Sequence, residues 1–237
     1  MRAREVLDRS VTPDGEPLEL AVEGGHHVLR VAGRTLMSSA MHGSEQEMAR
    51  VARAKLGARP SYRVLIGGLG MGFTCRAALE VFGDDSYITV AELLPALIGY
   101  NQGVLGPLAN HPLRDPRVEL FEGDVREQLD TGRWDAVLID VDNGPDAFTA
   151  RGNAALYGPA GASKMAGALS PGGVLVIWSA APSPAFEKSL SKCGLSTESR
   201  SVFARGNVQK GPRHTLVIGS APSARAPRRP SARYRRD

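Results

Sequence analysis

From residue 62 onward the apolar residues fall into two alternating patterns, short unbroken runs and stripes at helical spacing. Val64, Leu65 and Ile66 form such a run, bounded by charge on one side and turn residues on the other, as a strand buried on both faces requires. After a cluster of glycines, Phe73, Ala77, Ala78 and Val81 recur every three or four residues and predict a helix over 73–82. Further runs at 86–90, 118–121 and 136–139 predict three more strands, and 125–129 reads as a helix start. Towards the end, Phe186, Leu190 and Cys193 share one face of a helix over 184–193. Strands are predicted at 198–204 and 214–219. Strands alternating with helices predict an α/β domain built on a doubly wound, mostly parallel sheet.

The first 58 residues follow a different rhythm. Runs at 18–22 and 27–31 flank Glu23-Gly24-Gly25, a hairpin signal, and Ala32-Gly33 gives another turn before 35–38. A small antiparallel β region is the natural reading. Over 44–56 the pattern turns helical, with Met48, Val51, Ala52 and Leu56 on one face. Ser44 followed by Glu47 fits a capping box at its start. The expected organisation is therefore a β-hairpin region with a linking helix over 1–58, an α/β domain over 59–220 and a disordered tail over 221–237.

Candidate chemistry sits where the strands end. The 64–66 strand runs into Gly68-x-Gly70-x-Gly72, and glycine lets a chain turn sharply and lets a ligand approach the backbone. The helix that follows opens with free amides that favour negative charge. A lone glycine turn is weak evidence, but three acids accompany this one. Glu92 closes the second strand twenty residues beyond Gly72, Asp124 follows the third strand, and Asp140 follows the fourth. Carboxyl ends of strands in such a sheet face one crevice, where an acid after the second strand accepts from ribose hydroxyls. A nucleotide site is expected. The pattern lacks the later glycine of a dinucleotide site.

Composition narrows the picture. A hydrophobic share of 42% in 237 residues supports a sizeable core. No apolar run reaches membrane-spanning length, and the opening MRAREVLDRSV lacks a signal-peptide core, so a cytoplasmic protein without a membrane partner is expected. Cys75 and Cys193 form no CxxC pair, and the five histidines have no ligand spacing, so no metal is expected. The formal charge is +4, yet residues 222–237 hold six arginines and one aspartate; the rest of the chain, by difference, carries −1. That arginine-rich end could meet phosphate, but the body has no nucleic-acid motif, and a solvated tail is the preferred reading.

Taken together, the segments GRTLMSSAMHGSEQEMA, VLIGGLGMG, AELLP, DPRVELFEGDVREQL, WDAVLIDVDNGPD, ALYG and LSPGGVLVIW resemble the spermidine synthase-like aminopropyltransferases, from about Gly33 to Trp178. The resemblance implies a class I methyltransferase-type, Rossmann-like sheet that binds S-adenosylmethionine or its decarboxylated form as co-substrate, with no metal. It implies Gly68, Gly70 and Gly72 beneath the thioether chain, Glu92 on the ribose and Asp124 on the adenine amino group. Asp140 would be catalytic, orienting or deprotonating a small-molecule amine acceptor, and Asn143 and Tyr157 would line the acceptor side. The family usually carries aspartates where Met71 and Asn143 stand, and a tyrosine-histidine pair where Glu45-Gln46 precede Glu47. Three readings stay open: aminopropyl transfer with altered amine specificity, methyl transfer from intact S-adenosylmethionine, and a non-catalytic nucleotide-binding protein. A homodimer is compatible with the sequence.

Overall fold

The computed structural model describes residues 4–141, 154–205 and 211–224. Asn143 and nearly all of the arginine-rich tail lie outside these residues. The first sheet is antiparallel, in the order β1 (Glu5–Val11), β2 (Pro17–Glu23), β3 (His26–Val31), β4 (Arg34–Ser38). Gly24 and Gly25 both hold positive φ between β2 and β3, the backbone that a tight right-twisted hairpin turn needs. The hydrophobic pattern does not predict β1. It is a largely exposed edge strand tied to β2 through Arg9 and Glu19 (3.2 Å), so it has no apolar face to betray it.

Helix α1 (Gly43–Lys55) buries Met48, Val51 and Ala52 as its stripe predicts. The capping box does not form. His42 is the N-cap and makes no side-chain capping bond, which leaves Ser44 inside the helix. Glu47 instead faces Arg200 and Arg50 at 3.6 and 3.8 Å. Ser44 is drawn away because it finds buried partners from other elements, described below.

The main sheet starts at β5 (Arg63–Gly67), followed by α2 (Phe73–Val81), β6 (Tyr87–Glu92) and α3 (Pro95–Gln102). Then come β7 (Val118–Glu122), α4 (Val125–Gln128), β8 (Trp134–Ile139), α5 (Ala154–Tyr157) and α6 (Pro159–Ala168). The chain closes with β9 (Leu169–Ser179), α7 (Pro184–Lys192), β10 (Ser196–Phe203) and β11 (Arg213–Ser220). The seven strands lie in the order β10-β11-β9-β8-β5-β6-β7. Strands β5 to β9 are parallel to their neighbours within the set, while β11 and β10 return antiparallel.

From β5 the chain winds outward through β6 and β7, then comes back to lay β8 on the other side of β5. That reversal opens a crevice at the carboxyl ends of β5 and β8, where ligands bind in such sheets. The sheet is apolar on both faces. Helices α1 and α2 cover one face through Met48, Val51, Cys75 and Ala78, and α4, α6 and α7 cover the other through Val125, Met165 and Leu190. A third cluster joins the small sheet to the glycine turn and α3: Leu18, Leu20 and Leu29 pack with Met71, Leu97 and Tyr100. No helix among the described residues is long and apolar enough to cross a membrane.

Candidate active site

The glycine turn is built by close approach. A Cβ at Gly68 (φ +92°) would stand 2.3 Å from the carbonyl oxygen of Asp140, so only glycine lets the ends of β5 and β8 meet there. The Asp140 amide donates to the Gly67 carbonyl at 2.8 Å and locks that contact. Gly70 (φ +53°) is different. A Cβ there would meet only the Met37 side chain, its sulfur at 3.7 Å, so the backbone stays open to a ligand. Buried Asn101 fixes the turn by donating from Nδ2 to the Gly70 and Leu97 carbonyls at 2.8 and 2.9 Å. Gly72, at positive φ, is the N-cap of α2. Met71, between them, is buried in the apolar cluster with the small sheet.

Glu92 is 6% exposed and ties the turn to β6. Its Oε2 accepts from the Leu69 amide and its Oε1 from the Leu94 amide, both at 2.8 Å. Burial raises its carboxyl, and the surrounding amides of Leu94, Leu69, Leu93 and Gly70 pull against that. The Leu69 and Leu94 amides take one oxygen each, and a diol would share the carboxylate with these amides. Leu93, next in the chain, is 53% exposed and sets an apolar surface beside the acid.

Asp124 is the N-cap of α4. Its Oδ1 accepts from the Arg126 amide at 2.8 Å, and its Oδ2 meets the same residue's Nε and Nη2 at 2.9 and 2.6 Å. Burial pushes its carboxyl up, but the Arg126 hydrogen bonds outweigh that and leave it below the ordinary carboxylate value. The helix-capping role is therefore realised, with one acceptor position left.

Asp140 stands at the reversal point and is half-buried. Its Oδ2 accepts from the Thr74 hydroxyl of α2 at 2.7 Å. Burial raises its carboxyl well above the ordinary value, the Thr74 bond opposes this, and the nearby Glu92 charge adds to it. Glu45, on the first turn of α1, is raised as well, first by burial and then by the charge of Asp140. Both carboxyls thus hold a proton to higher pH than free ones, Asp140 to about 6 and Glu45 to about 8, and the charge of Asp140 raises the cost of ionising Glu45. Sequence reasoning noticed Glu45 only as a departure from the resemblance. The signal was there, since the resemblance implies a tyrosine at this position and the sequence has an acid.

Behind Glu45 lies a connected polar cluster. The Ser44 hydroxyl bonds Glu45 Oε2 at 2.6 Å and His214 Nδ1 at 2.8 Å, and it accepts from Trp178 Nε1 at 3.0 Å. Burial lowers His214, so its ring favours the neutral form. Tyr157 donates to the Val141 carbonyl at 3.2 Å and stands edge-on to Phe186 at 5.5 Å, bracing the chain just past Asp140. The structure thus brings Gly68, Gly70, Gly72, Glu92, Asp124 and Asp140 to one edge of the sheet, and adds Glu45, Ser44, Thr74 and His214. Such an edge can hold a nucleotide-like group over the turn and exchange a proton at Asp140. Among the described residues no cluster of His, Cys, Asp and Glu could hold a metal ion.

No protein-family model matches the sequence, and no curated protein does either. Solved structures do match. A spermidine synthase in complex with the transition-state analogue AdoDATO superposes with a TM-score of 0.72 at 17% identity, covering 91% of this chain and 72% of that one. Spermidine synthase from Thermotoga maritima gives 0.73 at 18% identity, with the same coverage. An O-methyltransferase family protein from Burkholderia thailandensis gives 0.53 at 18% identity and covers 76% of this chain and 57% of that one. This chain therefore has the fold of the solved spermidine synthases, a class I methyltransferase-type sheet preceded by a small antiparallel sheet.

Proposed function

We propose that this chain is a spermidine synthase-like transferase that moves an aminopropyl group from a decarboxylated S-adenosylmethionine-type donor to a small amine. The observation that carries the reading is the combination of the small antiparallel sheet with an Asp140-bearing crevice. The likeness to spermidine synthases spans 91% of the chain, whereas that to the O-methyltransferase spans 76%. In this reading Glu92 shares its carboxylate between the ribose hydroxyls and the Leu69 and Leu94 amides, and Leu93 offers a face to the purine. Asp124 accepts from the adenine amino group, and the donor chain runs over the open backbone of Gly70.

The reaction needs little beyond alignment, since a sulfonium carbon already carries a good leaving group. The attacking ammonium must first lose a proton, and Asp140 accepts it. The amine nitrogen then bonds to carbon, and the carbon–sulfur pair leaves on sulfur as a neutral thioether. Methyl transfer from intact S-adenosylmethionine is the second reading. Met71 favours it: this side chain is 4% exposed in an apolar cluster, so that position offers no acid to recognise a bare propylamine.

Calorimetric titration with both donors, followed by mass analysis of products from a panel of amines, tests the proposal. Aminopropylated amine and a thioether product are expected, with the two donors bound within about tenfold of each other. A methylated product would replace the first reading with the second, and no binding of either donor would remove both.

A further inference from the structure

Of the three glycines in the turn, two are closed by the protein itself. The Cβ position of Gly68 runs into the Asp140 carbonyl, and that of Gly72 is enclosed by Pro112, Asn101 Oδ1 and Ala109 at 3.0, 3.1 and 3.2 Å. Gly70 differs. Apart from its chain neighbours, only Met37 among the described residues comes within 4 Å of that position, with Sδ at 3.7 Å and Cε at 3.9 Å. This is ordinary van der Waals contact, and an unbranched methionine yields easily to a ligand. Resting on the transferase reading, we propose that Met37 is the specificity-determining residue of the donor site. The carbon chain on the donor sulfur lies between the Gly70 backbone and the Met37 thioether, and the side chain at position 37 sets which chain end is accepted.

The small sheet delivers Met37 through an irregularity. Met37 pairs with Leu29 of β3 and Thr35 pairs with Arg30, so Leu36 is an extra residue in the β4 ladder. A bulge of this kind bends an edge strand and re-aims the side chains beside it. Met37, Phe73 and Leu94 then pack, partly buried, against the third apolar cluster, and the Phe73 ring is stacked on His42 at 4.2 Å. Met71, by contrast, is 4% exposed within that cluster. The side chain that faces Gly70 therefore comes from β4 and not from the turn's own next residue.

A thioether carries no charge and is only a weak acceptor, so it holds methylenes without reading what ends them. The strand-end acids are engaged elsewhere: Glu92 by the Leu69 and Leu94 amides, and Asp140 by the Thr74 hydroxyl. S-adenosylmethionine and its decarboxylated form share the sulfonium and the ammonium and differ by one carboxylate on this chain. A neutral wall accepts both. A charged side chain at position 37 separates them, because a like charge penalises the carboxylate and an opposite charge favours it.

The test titrates the native chain, Met37→Glu, Met37→Lys and Met71→Asp calorimetrically with both donors, each protein first shown to be folded by thermal melting. Met37→Glu is expected to weaken the intact donor by about tenfold or more relative to the decarboxylated one, and Met37→Lys to move the ratio the opposite way by a similar factor. Lost packing would lower both affinities together and cannot reverse a ratio between variants of opposite charge. Should one of the two charged variants fail to fold, the other carries the test. Met71→Asp should lower the melting temperature, by placing a carboxyl in an apolar cluster, and leave the donor ratio unchanged. An unchanged ratio in folded position-37 variants would overturn the inference while the transferase reading stands, and so would a ratio that shifts in Met71→Asp alone. A native chain that binds neither donor would remove both.

Discussion

The two ends of the crevice use the same kind of residue to opposite effect. At the proposed nucleotide end, Glu92 and Asp124 are met by N–H groups: backbone amides for Glu92, and the amide and guanidinium of Arg126 for Asp124. At the proposed acceptor end, Asp140 is met by the Thr74 hydroxyl and the charge of Glu92, and Glu45 by the Ser44 hydroxyl and the charge of Asp140. N–H partners stabilise carboxylate and cannot take a proton back, so the first pair suits fixed recognition. A hydroxyl can donate to a carboxylate or accept from a carboxylic acid, so the second pair suits proton exchange. Residue type alone does not assign these roles; the partner does.

The comparison breaks most visibly at Asp140. Asp140→Asn should lower turnover by roughly a hundredfold or more while leaving donor affinity nearly unchanged, as steady-state kinetics beside calorimetry would reveal. Equal loss of binding would move Asp140 to the recognition end.

Next in size is the glycine turn that joins the two ends. Gly68→Ala forces a Cβ against the Asp140 carbonyl and should destabilise the fold by about 3 kcal/mol or more in urea denaturation. Gly70→Ala, whose Cβ would make only ordinary contact with the Met37 side chain, should cost about 1–2 kcal/mol from its positive φ alone. Similar losses at both sites would mean that the β5–β8 contact is not the tight one.

At the nucleotide end, Glu92→Ala and Asp124→Ala should each weaken donor binding by about 1.5–3 kcal/mol, more than tenfold in titration. Asp124→Ala should also lower stability by about 1 kcal/mol through the lost cap of α4. A folded Asp124→Ala protein with unchanged donor affinity would confine that residue to capping.

The smallest effect concerns pH. Glu45 and Asp140 are raised in the folded state, so the fold binds more protons than the unfolded chain above the ordinary values of 4.5 and 3.8. Their stabilising contribution is complete below those values and is lost as pH rises through the raised ones. Glu45→Gln should therefore flatten the fall of melting temperature with rising pH, and a steeper fall would contradict the pairing.

Much of the scaffold was legible because it is local. Val64 to Ile66 had to be a buried strand, Glu23-Gly24-Gly25 a hairpin, and the acids at strand ends had to share an edge once the sheet was parallel. Strand β1 escaped because an exposed edge strand carries no apolar period, and α3 because its buried Leu97, Ile98, Tyr100 and Asn101 lie side by side. The capping box at Ser44 and Glu47 failed for a tertiary reason: His214 and Trp178, from the far end of the chain, offer Ser44 better partners than the helix start does.

The sequence by itself determined the doubly wound sheet, the small antiparallel sheet before it, the glycine turn and the identity of the strand-end acids. Each of these follows from periodicity and backbone freedom within a few residues. Only the tertiary structure decided which acid carries a charge. That depends on what α1, β9 and β11 bring to Glu45 and what α2 brings to Asp140, across separations of up to 170 residues between Ser44 and His214. Burial and a neighbour's charge set the proton's position, and neither is a property of local sequence.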